Sequence, residues 1–99
     1  MRKAAFLAAL ALLVHLSAVP GAAAQPSAEE LINRLGCLGC HSLKGKGGDK
    51  APAWDGVRAR LSPEAIRSQI VSPRGRMPNF AQLKPEELQT LVGYLSGLK

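Results

Sequence analysis

Apolar residues along this chain recur at helical spacing, and no stretch alternates convincingly as a strand. Leu31, Ile32 and Leu35 fall on one helical face, and Ser27 followed by Glu30 forms the capping box that opens this helix. Ser62-Pro63-Glu64 reads as an N-cap, a first-turn proline and an acid at the positive helix end, with Ile66, Ile70 and Val71 on the buried side and Pro73 as the stop. Pro85-Glu86-Glu87 opens a last helix whose Leu88, Leu91, Val92, Leu95 and Leu98 share a face. Between these lie a basic stretch without periodicity, residues 44–50, an extended run 51–54 and a loop 72–80 that carries Met77. The pattern predicts an all-α domain of three to four helices joined by two irregular loops.

The N-terminus has a different character. Arg2 and Lys3 precede a charge-free apolar run of 11 residues (4–14), and Ala22-Ala23-Ala24 offers a cleavage site before Gln25. That layout predicts a secretory signal over residues 1–24 and a working domain over 25–99. The competing reading, an uncleaved anchor, needs roughly 18–20 apolar residues to span a bilayer. Cleavage leaves 75 of the 99 residues, one small domain that buries little surface and needs a staple or a bound core. Without Arg2 and Lys3 the domain keeps 11 basic residues against 7 acids, a net charge of +4. This charge suits an acidic partner. It is too sparse, with too few aromatics, for nucleic acid.

The chemistry is concentrated in Cys37-Leu38-Gly39-Cys40-His41. C-x-x-C-H is the attachment run for a c-type haem. Two thiols three apart on a helical turn lie on one side and can form thioethers with the two vinyl groups of one porphyrin edge, and His41, four residues after Cys37, reaches the iron from the same side. Gly36 and Gly39 let the backbone pass close to a flat ligand. A covalent haem also supplies the apolar body that so short a chain lacks. After cleavage Met77 is the one remaining methionine and no second histidine is left, so Met77, 36 residues after His41, is the candidate sixth ligand. Pro78 restricts its backbone to extended conformations. Lysine ligation and an open iron are the alternatives, as is a Met77 that only fills a core gap.

These residues resemble the small class I cytochromes c, the bacterial monohaem kind. The likeness rests on Cys37-Leu38-Gly39-Cys40-His41, residues 48–54, Met77-Pro78-Asn79-Phe80 and the amphipathic helix over 85–98, nearly all of the mature chain. It implies the cytochrome c fold, helices wrapped around one covalently bound haem. It implies that the carbonyl of Pro52 accepts a hydrogen bond from His41, fixing its tautomer. It places Trp54 where the family often carries a leucine on the haem; the tryptophan either lies against the ring or a propionate or serves the core. It implies that the last helix crosses the first near Tyr94 and Leu95, with Gly36 allowing close approach. Lys84 stands where the family often has Ser or Thr as N-cap, a weaker start for that helix.

The expected function is one-electron transfer in the periplasm, by a carrier that is not an enzyme in its own right and meets the membrane only through respiratory complexes. The nearest alternative is a dedicated haem c subunit of a larger periplasmic oxidoreductase. A thiol–disulfide oxidoreductase also uses C-x-x-C, but expects a thioredoxin-like sheet. A zinc site would crowd three ligands into one turn with no second pair. Lys44, Lys46, Lys50, Arg74 and Arg76 are candidates for a docking face toward an acidic redox partner, with plain solvated charge as the alternative. Arg58, Arg60 and Arg67 are candidates for the haem propionates.

Overall fold

The computed structural model describes residues 25–99. The expected signal over residues 1–24 lies outside the described residues. Four α-helices carry the domain: α1 (Ala28–Leu35), α2 (Val57–Arg60), α3 (Pro63–Val71) and α4 (Pro85–Ser96). A 3-10 turn (Cys37–Gly39) follows α1. Among the described residues no helix is long and apolar enough to cross a membrane.

The helices start where local chemistry tells them to. Ser27 Oγ accepts from the Glu30 N–H at 3.1 Å, and Ser62 Oγ accepts from the Ala65 N–H at 3.1 Å. At α4 a lysine side chain has no acceptor to offer, so Lys84 makes no side-chain cap. Glu87 supplies the return half of a capping box instead, accepting from the Lys84 N–H at 3.1 Å. The same carboxylate pairs with Arg34 on α1, and the Arg34 hydrogen bond, then the Lys84 N–H, hold it below the ordinary glutamate range. The cap of α4 is thereby also a tie between α1 and α4.

α4 packs against both α1 and α3. Leu31 and Ile32 of α1, Ile66 and Ile70 of α3, and Leu91, Val92 and Leu95 of α4 make one core with Trp54 and Val57. Burial of each such side chain contributes about 1.5–3 kcal/mol. Tyr94 is packed against this core and Leu95 lies within it. The expectation for Gly36 is corrected: no protein atom lies within 4 Å of where its Cβ would be. Its φ of 70° is left-handed, and it ends α1 by donating its N–H back to the Asn33 carbonyl.

The all-α expectation needs one amendment. Residues 44–50 are not an irregular loop throughout. β1 (Ser42–Leu43) and β2 (Lys46–Gly47) pair antiparallel, with Ser42 opposite Gly47 and Leu43 opposite Lys46. Lys44 and Gly45 both have positive φ, 51° and 76°, the two-residue hairpin turn whose twist matches the strands. The Lys44 N–H donates to the Asp55 carboxylate, which ties the turn to the segment before α2.

This hairpin sits against the 3-10 turn. The Gly48 N–H donates to the carbonyls of Leu38 at 2.9 Å and His41 at 3.0 Å. A Cβ on Gly48 would lie 2.3 Å from the Gly39 carbonyl oxygen and 3.0 Å from Cys40 Cα. Both neighbours are backbone, so neither can swing aside. Gly48→Ala is expected to destabilise the domain by about 1–3 kcal/mol through this overlap. Denaturant unfolding reads it directly, and an unchanged midpoint would contradict the account.

Candidate functional site

The elements meet around a cavity of about 1270 Å³. That exceeds the roughly 300–1,000 Å³ of sites for ordinary small ligands. Every residue expected at the site lines it: Cys37, Cys40, His41, Pro52, Trp54 and Met77. Core side chains Ile66, Ile70, Leu91 and Leu95 also reach its wall.

Cys37 opens the 3-10 turn directly after α1, and Cys40 and His41 close it, with the N–H of each donating to the Cys37 carbonyl. The left-handed Gly36 makes the break between helix and turn. Cys37 is half-buried and Cys40 exposed, and neither is engaged in a disulfide. Burial pushes the Cys37 thiol above its ordinary range. An attacking thiol of a redox dithiol enzyme needs the reverse, a pKa lowered by its surroundings. Among the described residues the one sheet is a hairpin of two-residue strands, far short of the sheet that the dithiol reading requires.

His41 is fixed on two sides. Its Nδ1 lies 2.7 Å from the Pro52 carbonyl. A carbonyl only accepts, so Nδ1 carries the proton and Nε2 keeps a free lone pair. Trp54 stacks on the imidazole, centroids 5.2 Å apart and planes inclined by 29°. Trp54 is buried at 8% exposure, and its backbone N–H donates to the Ser42 carbonyl at 2.8 Å. Of the roles considered for Trp54 the core one is seen, and the side chain also lines the cavity while backing the histidine. A histidine whose second nitrogen is held by an acceptor is the arrangement of a metal ligand.

Met77 comes from the loop between α3 and α4. It is half-buried, packs against the core and lines the cavity. The Phe80 N–H donates to the Ile70 carbonyl at 3.0 Å, returning the loop to the end of α3. Asn79 Oδ1 accepts from the Ala81 N–H at 2.7 Å, a local turn just after Pro78.

The basic residues separate by place. Lys50, Arg60, Arg74 and Arg76 line the cavity; Lys44 and Lys46 are exposed on the hairpin away from it. Of the three arginines considered for propionates, only Arg60 is at the cavity. Its guanidinium donates to the carbonyls of Ala53 at 2.8 Å and Asp55 at 3.1 Å, so it also holds the segment that carries Pro52 and Trp54. Arg67 instead donates to Gln89 of α4. Sequence reasoning missed Gln69, whose side-chain nitrogen lies 3.7 Å from Met77 Sδ, and the Gly47–Gly48 contact behind the Cys-x-x-Cys-His turn. The paired glycines are a signal of close backbone approach; nothing in the sequence marks Gln69.

The donor set fits a haem. Two unpaired thiols, a histidine presenting Nε2 and a thioether face one large, largely apolar cavity. No curated protein and no solved structure shows a significant match to the chain. A family model does match, described as cytochrome c oxidase, cbb3-type, subunit III, over residues 23–95. That span contains the Cys-x-x-Cys-His run, the hairpin, all four helices apart from the last residue of α4, and the Met77 loop. The chain therefore belongs to this cytochrome c family: it is a small monohaem c-type cytochrome domain that holds haem and its iron covalently and passes electrons to and from redox partners.

Proposed function

We infer that this domain is an exported one-electron carrier with His41 and Met77 as axial ligands and Cys37 and Cys40 as the thioether anchors. The observation that carries this reading is the convergence of those four side chains on one cavity, with His41 Nδ1 bonded to the Pro52 carbonyl. When bound, the haem iron supplies the one-electron couple. The residues decide how that couple behaves. The Pro52 carbonyl makes Nε2 a better donor. The Met77 thioether, a soft ligand, favours the reduced state, and so does an apolar surround, because the oxidised site carries more positive charge. Trp54, Ile66 and Ile70 are buried and give the cavity part of its apolar wall. In this reading the domain's role is delivery of electrons.

Export to the periplasm rests on the leader-like residues 1–24. The docking face includes Lys50, Arg74 and Arg76, which are exposed and line the cavity. The partner is an acidic redox protein. Electron exchange with such a partner is expected to slow several-fold between about 10 mM and about 150 mM salt, as the Debye length shrinks from about 30 Å to about 8 Å. Stopped-flow mixing of the reduced protein with its oxidised partner measures it, and salt-independent exchange sinks the docking face. The family description favours a second reading, a fixed haem subunit of a terminal oxidase. Cell fractionation separates the two: a carrier appears as a small haem-staining band in the periplasmic fraction, a subunit travels with the oxidase.

A further inference from the structure

Gln69 lies near the end of α3, half-buried, and its two amide ends are used on one loop. Its Oε1 accepts from the Arg74 N–H at 3.3 Å. Its Nε2 lies 3.3 Å from the Arg74 carbonyl and 3.7 Å from Met77 Sδ. The side chain thus holds the first turn of the loop by both backbone groups of Arg74, and at the same time offers an N–H to the sulfur. Gln69 also lines the cavity.

A thioether sulfur has two lone pairs and is a weak acceptor. A donor that occupies one of them leaves the other to face elsewhere. It also settles which way the Cε methyl points, since the substituents around sulfur turn together. A long unbranched methionine otherwise samples many rotamers. We propose that Gln69 is a positioning residue for the sixth ligand: its amide braces the loop at Arg74 and its N–H takes one Met77 lone pair, so that the other is presented to the iron. This rests on Met77 being the axial ligand.

The consequence is a tighter hold of the sulfur against competitors. Imidazole added to the oxidised holoprotein competes with Met77 for the iron, and its affinity reports how firmly the sulfur is held. Gln69→Leu keeps bulk and loses every polar contact. Gln69→Glu keeps an acceptor for the Arg74 N–H and, ionised, cannot donate to sulfur. A net hydrogen bond at the weak end of the usual range, as suits a thioether acceptor, corresponds to roughly twofold in an equilibrium, so imidazole is expected to bind roughly twofold more tightly to either variant than to the parent. The weak long-wavelength absorption of an iron–thioether bond should weaken in both without vanishing. Met77→Leu is measured beside them and should lack that absorption altogether. If Met77→Leu lacks it while both Gln69 variants match the parent in absorption and imidazole affinity, the role of Gln69 is overturned and that of Met77 stands. If Met77→Leu keeps the absorption, both are overturned. A change in Gln69→Leu alone, with Gln69→Glu like the parent, overturns the sulfur contact and leaves only a loop brace.

Discussion

The double variant Cys37→Ala, Cys40→Ala is expected to contain no covalent haem, and to lose most of its folded structure with it. Each thioether forms when a thiol S–H adds across a vinyl group, so the sulfur gains a carbon and the proton ends on the neighbouring carbon. Alanine offers no S–H. Both thiols lie on one turn at the cavity wall, held by the N–H groups of Cys40 and His41 on the Cys37 carbonyl. Losing the attachment removes more than a cofactor. Ile66, Ile70, Leu91 and Leu95 reach a cavity of about 1270 Å³, and a domain this small has little other apolar surface to offer. Its core supplies only about 3–5 kcal/mol, so water in that cavity should cost much of the fold. Haem staining after denaturing electrophoresis checks the first effect and far-ultraviolet circular dichroism the second. Haem that stays with the double variant through denaturation would refute the anchor assignment. The single variants should each keep one thioether and stain, with the stability loss falling between parent and double variant.

What the sequence disclosed, and what it hid, follows from the range of the interactions. α1, α3 and α4 announce themselves through Ser27, Ser62 and Pro85, because capping is a matter of three or four consecutive residues. The candidate site was legible for a similar reason: Cys37, Cys40 and His41 act within one turn, and Met77 has no rival of its type in the described residues. α2 is a single turn, Val57–Arg60, too short to show a period, and it starts from a left-handed Gly56. The hairpin was masked by its own composition, since Lys44-Gly45-Lys46-Gly47-Gly48 carries almost no apolar signal and its strands contribute two residues each. What specifies it lies elsewhere, in Asp55 beneath the turn and in the carbonyls of Leu38 and His41 that receive Gly48. Gln69, and the bracing contacts of Arg60, were hidden in the same way. Each of the two is one polar residue on a helix, and each gains meaning only from backbone groups that the fold brings to it. Trp54 shows the limit of comparison with a family pattern. Replacing a smaller apolar residue by an indole adds a stacking partner for His41, and only the placed rings reveal it.

The second large effect is expected at Met77, and two substitutions separate its chemistry from its bulk. Met77→Ala should lose the long-wavelength thioether absorption of the oxidised protein and lower the potential by on the order of 100 mV, a modest part of the roughly 0.8 V that axial ligands span. The sign follows from the ligand. A soft thioether stabilises the reduced iron, so a site without it gives up its electron more readily. Alanine also leaves space. Met77 is half-buried against the core, so the truncation should cost less than the roughly 2–5 kcal/mol of a fully buried methionine. Met77→Leu restores most of that volume and no sulfur, a swap that typically costs less than about 1.5 kcal/mol. If Met77 is the ligand, alanine and leucine give the same spectrum and a similar potential while differing in stability. If Met77 only fills the core, leucine behaves as the parent in all three measurements. Potentiometric titration and denaturant unfolding of the two holoproteins decide between them, and a leucine variant with the parent's potential and absorption removes Met77 from the coordination of the iron.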